Sequence, residues 1–141
     1  MSQNKYQLAL EKFRKLDQLS GMTQWLPTLV DATNLAKEAV QEDTKNGNAY
    51  VLLAMLLEMD ARVYPELGIG YMRYLSQSAA VIYHWKINRI PTTDIAIQNY
   101  GNRIYDHISS ILNEVFREQG GSNCFVELHK QFYQDALTRG T

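Results

Sequence analysis

The chain has 141 residues, 45% of them hydrophobic and 21% charged, and a formal net charge of −1 from 14 basic and 15 acidic side chains. Such a composition describes one globular domain, residues 1–141, with enough apolar material for its own core, and it excludes an intrinsically disordered chain. The near-balanced charge supplies no field for a nucleic acid or an anionic membrane, and the single cysteine, Cys124, excludes an internal disulfide.

The opening residues, MSQNKYQLALEKF, lack the apolar run of a signal peptide, and the most apolar stretch, Ala49 to Leu57, is about half of the ~20 residues a bilayer span needs. A cytoplasmic protein is expected, with no membrane association.

In chain order, Tyr6, Leu10, Phe13 and Leu16 recur at helical spacing and predict a first helix from about Asn4 to Leu19, ended by Ser20-Gly21. Pro27 suits a first helical turn, and the stripe Leu29, Ala32, Ala36, Ala39, Val40 carries a second helix to about Thr44. After the turn signal Asn46-Gly47-Asn48, a third helix to Val63 is apolar nearly all round, which marks the central buried element. A fourth spans roughly Ile69 to Asn88 on Met72, Leu75, Ala79 and Ile82. Pro91-Thr92-Thr93-Asp94 reads as a restart, with a Thr N-cap and Asp94 in the first turn of a fifth helix, about Thr93 to Gln119. A sixth is expected from about Asn123 to Thr138 on Phe125, Leu128, Phe132 and Ala136. No segment alternates with period two as a strand would. The fold expected is all-α, five or six antiparallel helices in one bundle-like domain.

The segment Ala32 to Leu57 resembles the join between two tetratricopeptide repeats. Small residues stand at Ala32 and Ala39 of one helix, a short turn follows over Glu42 to Gly47, and the next helix opens with Ala49, Tyr50, Leu53 and Ala54. Small residues there let antiparallel helices approach, and the aromatic and Leu fill the gap. The likeness covers about a fifth of the chain: Ala36 stands where the repeat has a large aromatic, the turn proline is missing, and nothing after Met59 continues the pattern. The same stretch is similar to the first hairpin of MIT domains, which bind short helical peptides. Either resemblance implies a protein-binding role.

Candidate chemistry is sparse. His84, His107 and His129 fall on three predicted helices, none with a second ligand-type residue at metal-motif spacing, so no metal or other cofactor is implied. Cys124 stands in the first predicted turn of the last helix without a partner cysteine and reads as a small buried hydrophobe. Arg103 and His107, with Asp106 between them, resemble the Arg-His motif of HEPN-type ribonucleases, but with three intervening residues where the motif has at least four. That resemblance implies a small ribonuclease as the alternative function, Arg103 and His107 supplying a cation and a proton carrier. The leading expectation is non-catalytic: an adaptor, chaperone or regulator binding another protein, or a second copy of itself. The surface expected for it is the helix face bearing Tyr71, Tyr74 and Ser78 beside the Met72-Leu75-Ala79-Ile82 stripe, with Arg73 alongside, because aromatic and Arg anchors dominate interface energetics.

Overall fold

The computed structural model describes residues 4–19, 21–63, 69–115 and 131–137, with backbone alone at 22, 69–72, 108 and 111–115. Every regular element among them is helical: α1 (Lys5–Lys15) with a 3-10 turn (Leu16–Gln18), α2 (Met22–Glu42), α3 (Gly47–Val63), α4 (Ile69–Ile87) and α5 (Ile95–Val115). Residues 131–137 are helical as well. None of the described helices is long and apolar enough to cross a membrane.

The helix ends follow side-chain chemistry. Asn4 caps α1 by accepting a bond from the Gln7 N–H at 2.8 Å. Asn46 opens α3, its Oδ1 accepting from the Asn48 N–H at 3.1 Å. At α5 the cap is Asp94, one residue beyond the threonine the sequence suggested: its Oδ1 accepts from the Ala96 N–H at 2.9 Å, and Thr93 is engaged elsewhere, accepting from Asn48 Nδ2 at 2.8 Å. The start of α2 also departs from expectation. Pro27 does not begin the helix but sits inside it, after Met22. Having no N–H, it leaves the Thr23 carbonyl without its usual donor. On that exposed first turn water can serve, so the irregularity costs little.

Bundle packing is centred on α3, which touches α1, α2, α4 and α5, with its broadest contact on α4. Val51, Leu52, Leu53, Ala54, Leu56 and Leu57 have no exposed surface beyond 0%, matching the apolar character that marked this helix. The small residues Ala32, Ala36, Ala49 and Ala54 are equally buried, as small side chains at close helix contacts are. Two glycines make further approaches possible. A Cβ at Gly101 would stand 2.8 Å from the Trp85 ring, and one at Gly47 only 2.3 Å from the Pro91 carbonyl oxygen. The helical residues 131–137 close the core from another side: Ala136 is fully buried, and the Leu137 carbonyl accepts from Gln41 Nε2 of α2 at 3.0 Å.

Candidate functional site

On the expected binding face of α4, Arg73 and Tyr74 are partly exposed and Ser78 is interior. Ser78 is fully buried, its hydroxyl donating to the Ala54 carbonyl of α3 at 2.7 Å, so it is not available to a partner. The whole run Leu75 to Ile82 is buried, because α3, α5 and residues 131–137 cover α4 on several sides. Tyr74 is half-buried and packed on the core, with the Arg73 guanidinium 5.4 Å from its ring centre. Tyr71 belongs to α4, but its side chain lies outside the described residues, as do Cys124 and His129. Among the described residues no group of three or more His, Cys, Asp or Glu is placed to hold a metal.

Behind Arg73 lies an interior polar cluster that the sequence reading passed over. Asp60 of α3 is 3% exposed. Burial pushes its carboxyl up to about 7, against the opposing pull of Thr33 and Lys37 on α2. Thr33 Oγ1 donates to the Leu29 carbonyl at 2.8 Å and lies 3.2 Å from Asp60 Oδ2. A threonine has one hydroxyl proton, so a neutral Asp60 can donate in return and satisfy both contacts. Burial pulls the Lys37 ammonium below its ordinary value; Asp60 opposes that shift, Arg73 adds to it and Asp135 opposes it. Asp135 also accepts from Gln77 Nε2 at 2.8 Å, which ties residues 131–137 to α4. The His84 ring stacks with two tyrosines, its centre 5.6 Å from that of Tyr50 and 4.1 Å from that of Tyr133. Burial raises the Tyr133 phenol above its ordinary value. These arrangements hold helices together.

Arg103 and His107 are both exposed on α5, where the Arg103 guanidinium sits 5.7 Å from the Tyr100 ring centre. A different kind of surface lies at the corner where α4 ends and α5 begins. The large hydrophobics left exposed among the described residues are Ile87 at 57%, Ile95 at 77% and Tyr100 at 48%, and all three fall here.

The corner is shaped by how α4 stops. The Ile90 N–H donates to the Trp85 carbonyl and the Arg89 N–H to the Lys86 carbonyl, both at 3.2 Å. This is the Schellman pattern, whose left-handed residue is ordinarily glycine; here it is Arg89, with φ of 51°. Trp85 is 5% exposed, with its ring against Gly101 of α5. Between the helix ends opens a cavity of about 500 Å³, walled by Trp85, Ile90 and Pro91 and edged by Lys86, Arg89, Thr92, Gln98 and Asn102. Lys86 Nζ donates to Asn102 Oδ1 at 2.7 Å and lies 5.8 and 5.4 Å from the Trp85 and Tyr105 ring centres. Thr92 Oγ1 donates to Gln98 Oε1 at 3.0 Å. The left-handed backbone of Arg89 and the apposition of residues 86, 98 and 102 come from the α4–α5 turn and leave no local pattern in the sequence.

No family model matches this chain, and no curated protein or solved structure is significantly similar to it.

Proposed function

We propose that this domain is a non-catalytic protein-interaction module, an adaptor, chaperone or regulator of the cytoplasm, and that α2 and α3 form a hairpin of the tetratricopeptide-repeat kind. One observation carries the reading. The large hydrophobics left exposed among the described residues, Ile87, Ile95 and Tyr100, lie at the end of α4 and in the first turns of α5, with Arg103 over Tyr100. Exposed aromatic, aliphatic and Arg side chains are the residue types enriched in interface cores. The proposed surface therefore moves from the Tyr71–Tyr74 face of α4 to the α4–α5 corner. The lone cysteine fits a reducing compartment.

The test is affinity capture from an extract of the source cells with the wild-type domain, Tyr100→Ala and Ile95→Asp, each checked by thermal melt. Truncating an aromatic anchor costs roughly 2 kcal/mol, so Tyr100→Ala should weaken capture of a specific partner about 30-fold while the melt stays in place. Unchanged capture by both variants would remove the corner from consideration. Sedimentation velocity of the same three proteins separates a foreign partner from self-association, which would appear as a dimer lost in the variants.

A further inference from the structure

We infer that the cavity at the α4–α5 corner binds a small organic anion through its carboxylate or phosphate group. This goes beyond the protein-interaction reading and does not depend on it.

Two side-chain amides edge the cavity, and each oxygen already accepts one bond, Asn102 Oδ1 from Lys86 Nζ and Gln98 Oε1 from the Thr92 hydroxyl. Each amide also brings two N–H donors. Lys86 and Arg89 are donors only. No carboxylate lines the cavity, and neither cation has a carboxylate partner among the described residues. A cavity edged by two cations and two amide donors, with no carboxylate in its lining, is complementary to an acceptor-rich anion.

The backbone at Arg89 points the same way. Its left-handed conformation is unfavourable for any side-chain-bearing residue, and glycine would relieve it without altering the turn. A strained residue is retained where its side chain is needed, and the side chain at this position edges the cavity. The cavity's size and lining agree. About 500 Å³ falls in the range of small-molecule sites, and Trp85, Ile90 and Pro91 give the organic part of a ligand an apolar wall. Lys86, held over the Trp85 and Tyr105 rings, is pre-positioned and loses little freedom on binding.

The wild-type domain reports on the site by itself. Its two tryptophans, Trp25 and Trp85, give two indole N–H resonances, which Trp25→Phe assigns. The probes are citrate, succinate and inorganic phosphate, with succinamide as the uncharged counterpart, sodium chloride at matched ionic strength, and a glutamate-rich peptide. Saturable movement of the Trp85 resonance with citrate, succinate or phosphate is expected, with Kd on the order of 1 mM or tighter. The carboxylate and phosphate arms identify the preferred group. Lys86→Gln should weaken binding about tenfold, the loss of one charge-assisted contact. Arg89→Gly should weaken it similarly while raising the melting temperature by a few degrees, a combination that damage to the fold cannot produce. The inference is overturned by no saturable shift with any of the three anions, by equal shifts with succinamide or chloride, or by undiminished affinity in Arg89→Gly. Saturation with the peptide alone would assign the site to acidic protein segments and overturn it as well.

Discussion

The α3-centred interior and the α4–α5 corner solve opposite problems. Around α3, polar groups are driven into the core and neutralised: Asp60 has its carboxyl pushed up to about 7, and the hydroxyls of Thr33 and Ser78 are spent on backbone carbonyls of Leu29 and Ala54. At the corner, by contrast, cations stand without carboxylate partners among the described residues, hydrophobics stay exposed and a side-chain-bearing residue keeps a backbone suited to glycine. The first region holds the fold together at the expense of chemistry. The second keeps unspent interactions at the expense of stability, as binding surfaces do.

The sharpest test of this contrast is Leu53→Ala, which should destabilise by about 2–5 kcal/mol in urea unfolding, the usual result of truncating a fully buried leucine. A shift below about half a kcal/mol, the size of a typical surface substitution, would mean that the core lies elsewhere.

Next comes the pH dependence of the interior. Asp60 has an ordinary value of 3.8 and a folded one of about 7. Between these values the folded chain holds a proton that the unfolded chain has released. The stabilisation is therefore complete below about pH 4 and is lost as pH rises through 7. Lys37, lowered from 10.5, acts in the alkaline range and in the opposite sense, its penalty fading as pH rises. Asp60→Asn mimics the neutral carboxyl. It should flatten the acid-to-neutral slope and leave the variant more stable than wild type at pH 8, by on the order of 2–4 kcal/mol. Parallel stability–pH curves for the two proteins would show that Asp60 is solvated.

Gly47→Ala joins the two regions. Its methyl group would meet the Pro91 carbonyl, a backbone atom that gives way only if the whole corner shifts. A loss of about 1–3 kcal/mol is expected, read by thermal melt. The smallest effect belongs to the corner itself: Ile95→Ser should change stability by less than about 0.5 kcal/mol, since the side chain is 77% exposed. A larger loss would reclassify Ile95 as core.

Most helix positions were legible because their boundaries are written in local chemistry, and α3 was legible because its apolar surround admits one location. Two kinds of feature escaped. Ser78 is expected on a binding face, yet it is buried together with Ser76 and Gln77, because small and hydrogen-bonding side chains let α3 and residues 131–137 press against α4. Periodicity reports hydrophobicity along one helix and is silent on how many neighbours that helix has. The corner escaped for a different reason. Lys86, Gln98 and Asn102 are polar residues on separate helices, ordinary in sequence, and only the turn through Arg89 brings them to one cavity. Pro27 misled by being a strong signal in an unusual place, inside a helix rather than at its start. The expected sixth helix is matched at 131–137, and the remainder of that expectation falls outside the described residues.

The Gly47 N–H bonds to the Pro91 carbonyl at 2.9 Å. As the first residue of α3, Gly47 has no acceptor within its own helix, so any slowing of its deuterium exchange comes from the corner and not from helix formation. That one amide is therefore a gauge of how often the 90–91 backbone lifts away from α3. Exchange much faster than at Leu53 would mean that the corner opens independently, as a small hinge on a fixed post. Exchange at the same rate would mean that corner and interior let go together, in a single cooperative unit.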